Sequence, residues 1–227
     1  MAFKLNSVVP WGRNLEEYRR MFALSTSDME KRIISFGDGP ASFNSEMTRL
    51  GKKVVSVDPI YQFSRDNITL RIAETREEVM EQVRENADNF VWQFIRNADE
   101  LERTRLAAMQ TFLDDFEEGR QQGRYIPHAL PERTSFADQT FELALSSHFL
   151  LLYSALGLDF HLQSIDEMLR VSLEIRIFPT LNLQAQPSEV LDDIIKHYQT
   201  NYAVSTEKVE YEFQKNGNQM LVIKQKA

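Results

Sequence analysis

The stretch that decides the fold is RIISFGDGPASFNSEMTRLGKKVVSVDP, residues 32–59. Its apolar run at 32–36 ends in a glycine turn, the segment 41–50 carries apolar residues at helical spacing, and 53–57 is rich in valine. This order predicts a strand, a helix and a second, parallel strand. In such a crossover the first turn and the tip of the second strand meet at one sheet edge, where ligands bind.

Two glycines and two acidic residues in this stretch indicate the kind of ligand. Gly37 and Asp58 are separated by 58 − 37 = 21 residues, close to the ~20 expected between a glycine turn and a carboxylate that holds a ribose. Ser42 stands where a dinucleotide fingerprint has its third glycine, and Asp38 places a negative charge where a pyrophosphate would lie. A positively charged cofactor without phosphate, such as S-adenosylmethionine, therefore fits better than NAD.

The C-terminal end of the chain predicts an antiparallel hairpin. Residues 207–214 alternate apolar and charged side chains, Asn216-Gly217 is a strong turn signal, and 220–223 is a second, more apolar strand. A mostly parallel sheet closed by such a hairpin differs from the usual all-parallel dinucleotide fold.

With these pieces in this order, the chain resembles the class I S-adenosylmethionine-dependent methyltransferases. Residues 129–147 resemble the family's Leu-Pro stretch and fourth strand, and 165–178 resemble the helix that leads into its fifth strand. The family's Gly-Gly turn before the fifth strand is absent, and Ser35 replaces a frequent acidic residue. The resemblance implies an α/β three-layer sandwich in one domain, 1–227, with a mostly parallel seven-stranded sheet closed by the antiparallel hairpin.

The resemblance also implies roles for single residues. Asp58 would accept hydrogen bonds from both ribose hydroxyls, although an aspartate before Pro59 could also simply begin a turn. Gly37 and Gly39 would let the backbone approach the methionyl part of the cofactor. Asp38 would pair with the cofactor ammonium or cap the following helix. The residues expected on the two faces of the adenine are Pro59, Ile60, Ala129 and Leu130.

The end of the fourth strand is where the family places residues near the transferred methyl. Ser146 is therefore expected at the cofactor, and His148 is either a general base or a hydrogen-bonded histidine beneath a cap. Enzymes that methylate adenine or glutamine amides resemble each other in an Asn/Asp-Pro-Pro-Tyr/Phe motif here, which this chain lacks. The other histidines show no metal-ligand spacing, so no metal site is predicted.

Residues 62–122 are the main departure from a minimal methyltransferase. This charged segment has helical periodicity interrupted near Asn97, which predicts two helices inserted after the second strand. It could be a solvated hairpin on the sheet, a cap that roofs the substrate pocket with Phe90, Trp92 and Phe94, or a homodimer interface.

A further helix is predicted ahead of the first strand. Leu15, Tyr18 and Phe22 lie at helical spacing and indicate an amphipathic helix packed on the sheet. Because a leading helix often covers the cofactor in related methyltransferases, Arg13 and Tyr18 are further candidate pocket residues.

Composition narrows the functional classes. The 227 residues contain no cysteine, so disulfides, zinc–thiolate sites and cysteine nucleophiles are excluded. The net charge of −8 and the lack of a basic run disfavour nucleic-acid partners. No long apolar segment begins the chain, and nothing approaches the ~20 apolar residues of a membrane span, so a cytoplasmic location is expected.

The sequence therefore predicts transfer of a methyl group from S-adenosylmethionine to an oxygen or nitrogen of a small molecule. Two alternatives stay open. The chain could bind the cofactor without catalysis, in a regulatory or scaffold role, or it could be an NAD-dependent oxidoreductase. The residues do not name the methyl acceptor.

Overall fold

Seven strands form one sheet in the computed structural model, which describes residues 10–226. The strands are β1 (Ile33–Phe36), β2 (Val54–Val57), β3 (Tyr125–Ile126), β4 (Leu143–Ser147), β5 (Glu174–Phe178), β6 (Tyr202–Lys208) and β7 (Gln219–Gln225). Their order is β3-β2-β1-β4-β5-β7-β6, with β1 to β5 parallel and β7 antiparallel to both of its neighbours. The predicted mostly parallel sheet with an antiparallel end is confirmed. The predicted lack of an N-terminal apolar segment concerns residues that lie largely outside this range.

Helices cover both faces of the sheet. They are α1 (Leu15–Met21), α2 (Phe43–Arg49), α3 (Arg65–Glu85), α4 (Ala98–Gln121), α5 (Leu158–Val171) and α6 (Leu191–Tyr198). Alternate strand residues face opposite layers, so that Ile33 and Leu145 pack with α1 and α2 while Ile34 and Ala144 pack with α5 and α6. The three-layer arrangement is therefore confirmed, and the strand order agrees with the fold that the resemblance implies. The central strands are buried on both sides, which is why they read as continuous apolar runs.

The two predicted helices after β2 are α3 and α4. The break between them is wider than expected, at 86–97, and ends at Asn97, whose side chain caps α4 by accepting a hydrogen bond from the Glu100 amide at 2.8 Å. The helices pack on each other through buried residues that include Ile72 and Phe112. Within residues 10–226, none of the helices is both long enough and apolar enough to cross a membrane.

The hairpin prediction was wrong in its first strand, which is Tyr202–Lys208 rather than 207–214. The alternating segment instead connects the two strands and packs Val209 and Tyr211 into the core. Its backbone pairs with the loop between α3 and α4, where the Val91 amide donates to the Phe213 carbonyl at 2.7 Å. The real edge strand is mostly exposed, so it carries no buried alternating pattern that the sequence could reveal.

Asn44 fixes the short strand β3 to the rest of the sheet. Its amide nitrogen donates to the Val54 carbonyl at 3.2 Å, to Ser56 Oγ at 3.1 Å and to the Arg124 carbonyl at 3.0 Å. Its amide oxygen accepts from Arg124 Nη1 at 2.9 Å. Because β3 pairs through only two residues, this fully buried side chain supplies much of its attachment.

We expect Asn44→Ala to lower the free energy of unfolding by about 1–3 kcal/mol, because it leaves buried donors and acceptors without partners. Urea titration monitored by circular dichroism measures this change. Asn201→Ala, at an exposed position between α6 and β6, is the matched control and should stay within about 0.5 kcal/mol. Equal stability of the two variants would contradict this account of β3.

Candidate functional site

A cavity of about 390 Å³ opens at the carboxyl ends of β1, β2 and β4. The chain leaves β1 for β2 on one side, while β4 pairs with β1 on the other, so this edge is the topological switch point of the sheet. Eight of the nine residues predicted to bind the cofactor line the cavity, namely Gly37, Asp38, Gly39, Asp58, Pro59, Ile60, Ala129 and Leu130.

Ser146 is the ninth residue, and it does not line the cavity. It is fully buried, and its Oγ has no hydrogen-bond partner among the described residues. The next residue, Ser147, lines the cavity instead. Successive residues of a strand point to opposite faces, so a shift of one position exchanges the inner and outer side chain.

The glycine turn needs its glycines for two different reasons. Both Gly37 and Gly39 have left-handed backbone, with φ of 64° and 54°. A Cβ on Gly37 would lie 2.9 Å from the ring of Phe149, whereas one on Gly39 would meet nothing within 4 Å. Gly37 therefore permits close packing, and Gly39 leaves room for a ligand to approach the backbone.

Asp58 both begins a turn and faces the cavity. Its two carboxylate oxygens each accept one backbone hydrogen bond at 2.9 Å, from the amides of Ile60 and Gly39. Burial raises its pKa to about 6, the two hydrogen bonds oppose that rise, and the nearby charge of Asp38 adds to it. A carboxylate has about four lone-pair sites, so acceptor capacity remains for a ligand.

Asp38 is held by three hydroxyl groups. Tyr18 and Ser35 donate to one of its oxygens, the latter at 2.5 Å, and Ser56 donates to the other at 2.5 Å. Burial raises the pKa of Asp38 against these three hydrogen bonds. The predicted alternative that Asp38 caps α2 was wrong, because the N-cap position is Ser42 and no side chain caps that end.

His148 lies at the cavity immediately after β4. Its Nδ1 is 2.8 Å from Ser147 Oγ, whose other neighbour is Met21 Sδ at 3.8 Å. If the hydroxyl donates to the sulfur, Nδ1 donates to Ser147 and Nε2 is left as an acceptor. Burial lowers the pKa of His148 well below its usual range, and the charges of Arg13 and Arg105 lower it further. The imidazole is therefore neutral at physiological pH.

The inserted helices roof the cavity. Val79 and Val83 from α3, Leu101 and Arg105 from α4, and Phe90 from the loop between them line it. The prediction of a roof holds for Phe90 but was wrong for the two other aromatics. The Trp92 indole donates to the Ala87 carbonyl at 2.9 Å, and Phe94 lies beneath the Arg20 guanidinium at 4.4 Å, away from the cavity.

A buried ion pair joins the roof to the N-terminal helix. Arg105 Nη1 donates to a Glu17 oxygen at 2.5 Å, and the Tyr211 hydroxyl donates to the other oxygen at 2.9 Å. Burial alone would raise the pKa of Glu17, but Arg105, by its charge and its hydrogen bond, holds it below the usual value. Glu17 is therefore ionised, and the roof is tied down by charge as well as by apolar packing.

Several cavity residues were missed by sequence reasoning. His128 follows β3, close to Asp58, and its buried Nε2 has no hydrogen-bond partner among residues 10–226. Phe149, Arg105 and Phe213 also line the cavity. Phe149 and His128 follow the ends of β4 and β3 and could have been found from that position, whereas Arg105 and Phe213 carry no local signal. In the described chain, no group of three or more potential ligand side chains is placed to hold a metal ion.

Comparison with known proteins finds a relative that matches nearly the whole chain. The uncharacterized protein MJ0045 of Methanocaldococcus jannaschii is 37% identical over 222 residues, which are 97% of this chain and 97% of that protein. The chain belongs to the MJ0045 family. No model of a described protein family matches it.

Solved structures resemble this member of the MJ0045 family at low identity. A SAM-dependent methyltransferase from Methanosarcina mazei has a TM-score of 0.45 at 10% identity, over 87% of this chain and 93% of that one. Magnesium protoporphyrin IX methyltransferase from Synechocystis PCC 6803, with bound SAM, has a TM-score of 0.45 at 9% identity, over 93% and 90%. An rRNA methylase from Escherichia coli has a TM-score of 0.39 at 11% identity, over 92% and 62%.

We expect His148 to stay neutral at pH 6.5, where an ordinary histidine is about half protonated, because burial disfavours its charged form. Titration of the imidazole carbon resonances by NMR measures this, with the His148 signal assigned by its loss in His148→Gln. Arg13→Gln should raise the pKa of His148 by removing one nearby positive charge. The exposed Arg19→Gln should leave it unchanged, and an ordinary titration in the unaltered protein would contradict the lowered pKa of His148.

Proposed function

We propose that this protein transfers a methyl group from S-adenosylmethionine to an oxygen or nitrogen of a small molecule. The observation that carries the proposal is the position of the Asp58 carboxylate, which faces the cavity beside a glycine turn at the switch point of the sheet. A carboxylate at this place in a class I methyltransferase fold suits a ribose diol. A location in the cytoplasm remains part of the proposal.

The residues at the cavity fit this cofactor. Gly39 leaves open space beside the turn, and Asp58 retains acceptor capacity for the two ribose hydroxyls. His128 also lines the cavity, its backbone amide donates to the Asp58 carbonyl at 3.4 Å, and its buried Nε2 lacks a partner in the described structure. Ile60, Ala129 and Leu130 supply apolar contacts for the ring.

When bound, the cofactor supplies a methyl group that bonds to the acceptor atom as its bond to sulfur breaks and leaves both electrons on sulfur. The protein contributes orientation and exclusion of water, since the roof closes the cavity above the strand ends. The proton of the acceptor would be transferred to His148 Nε2, because the neutral imidazole accepts a proton at Nε2 when its Nδ1 donates to Ser147.

A cofactor-binding protein without catalysis is the second candidate, which the replacement of an acidic residue by Ser35 and a missing glycine left open. The Ser35 hydroxyl, however, lies 2.5 Å from the carboxylate of Asp38, which supplies negative charge at the same place. Binding of S-adenosylmethionine with no turnover on small acids, amines, phenols or total RNA would favour that second candidate. Methylation of RNA alone would replace the small-molecule acceptor.

We expect S-adenosylmethionine and S-adenosylhomocysteine to bind in the micromolar range by calorimetry at pH 8, and NAD not to bind. Asp58→Asn should weaken binding of the first two at least about 30-fold, since hydrogen bonds to a charged acceptor contribute about 1.5–3 kcal/mol each. Asp66→Asn, at an exposed aspartate in the first turn of α3, is the matched control. Unchanged affinity in Asp58→Asn would remove the cofactor assignment.

The raised pKa of Asp58, about 6, predicts a pH dependence of binding. The ionised carboxylate accepts both hydroxyls, so affinity for S-adenosylhomocysteine should be about tenfold weaker at pH 5 than at pH 8, because about a tenth of the carboxylate is ionised one unit below its pKa. The contribution of Asp58 to the stability of the free protein has the opposite trend: it is largest below the unfolded pKa and is lost as pH rises through 6.

Calorimetry from pH 5 to 8 tests this dependence. The control is Asp58→Asn, which retains Asp38 and should give a nearly flat profile. The same pH profile in that variant would assign the dependence to another group.

A further inference from the structure

Two guanidinium groups line the roofed part of the cavity, and one carboxylate balances them. Arg105 pairs with Glu17, while Arg13 has no carboxylate within 4.0 Å in the part of the chain that the structure describes. This part of the cavity therefore carries one positive charge more than it has counter-ions.

Both arginines keep hydrogen-bond donors unused. Arg13 Nη1 donates to the Trp11 carbonyl at 3.1 Å, and its buried Nε has no partner among the residues described. The Arg105 side chain is 1% exposed, and its Nε is likewise without a partner within 10–226. A buried cation with unsatisfied donors is costly unless a ligand completes it.

Both guanidinium groups are tied to the roof of the cavity, whereas the two carboxylates follow strands of the sheet. Arg105 lies on the roof helix α4, and Arg13 donates to the carbonyl of Trp11, whose side chain packs with residues of α3 and α4. The carboxylates thus mark the cofactor side of the cavity, and the guanidiniums mark the side where the methyl acceptor would lie. Most other residues of that side are apolar, among them Val83, Leu101 and Leu152.

We propose, building on the methyltransferase function above, that Arg13 and Arg105 bind an oxyanion of the methyl acceptor, which is therefore a small apolar acid. Guanidinium groups are suited to carboxylates and phosphates because their planar donors can form paired hydrogen bonds. Binding of the acid would also neutralise the charge that disfavours protonation of His148, and so make the imidazole a better proton acceptor.

The test compares acids with their uncharged counterparts. Phenylalkanoic acids from phenylacetate to phenylhexanoate, and the primary amides of the same acids, are titrated by calorimetry into the protein saturated with S-adenosylhomocysteine. At least one acid should bind about tenfold more tightly than its amide. Arg13→Gln should abolish this preference, and the exposed Arg19→Gln should retain it. If no acid in the series is preferred over its amide, the proposal is overturned.

A second titration distinguishes the acceptor's oxyanion from the carboxylate of the cofactor itself. S-adenosylhomocysteine carries a carboxylate and methylthioadenosine does not. If Arg13→Gln weakens binding of the first but not of the second, the guanidinium serves the cofactor and the proposal fails. Equal affinity of the variant and the unaltered protein for S-adenosylhomocysteine supports the acceptor assignment.

The proposal can fail separately from the methyltransferase function. If the unaltered protein does not bind S-adenosylhomocysteine, the proposed function fails first. If it binds the cofactor but shows no preference for acids, only the oxyanion site fails. Arg13→Gln should lower the melting temperature only slightly, because it loses one hydrogen bond to the Trp11 carbonyl and no direct ion pair. Loss of the cooperative melting transition would show that Arg13 is a structural cation and would overturn the proposal.

Discussion

The buried carboxylate of Glu17 is the interaction on which the shape of the cavity depends. It binds Arg105 from the inserted helix α4 and Tyr211 from the connection between β6 and β7, and it completes the capping box of α1 with Asn14. Three segments that are distant in sequence therefore meet at one charge. Separating Arg105 from Glu17 would leave a buried charge without a partner and would strongly destabilise the fold. The roof and the N-terminal helix are therefore held together as one unit with the sheet.

The sequence predicts those elements of the fold that are buried in the sheet, because burial leaves a run of apolar residues. The strands β1 and β2 are short, largely apolar runs bounded by turns, and each was located to within one residue. The exposed edge strand β6 has no such pattern. The alternation at 209–213 is real, but it serves packing of Tyr211 and Phe213 against the core and against Phe90, whose ring stacks on Phe213 at 4.7 Å. Periodicity reports that one face is buried and does not report what buries it.

The residues of the candidate site also fall into those that the sequence predicts and those that it does not. The glycine turn and Asp58 belong to one crossover, so spacing along the chain was enough to bring them together. Arg105 is 88 residues from the carboxylate that it binds, and Tyr211 is 194 residues from it, so neither contact leaves a local signal. The error at Ser146 has a simpler cause, because a strand prediction that is correct in range still leaves open which of two neighbours faces the cavity.

The distribution of charge in the cavity constrains its ligands more strongly than its volume does. Asp38 and Asp58 lie at the ends of β1 and β2, whereas Arg105 lies on the roof helix α4 and Arg13 donates to Trp11, which packs with residues of α3 and α4. Charges in a site shielded from water act more strongly than they do in solution. A sulfonium is therefore attracted to the sheet side and repelled from the roof side, and the opposite holds for an anion. The electrostatic field of the protein would direct two ligands of opposite charge to different sides of the cavity. Each bound ligand would also lower the electrostatic cost of binding the other.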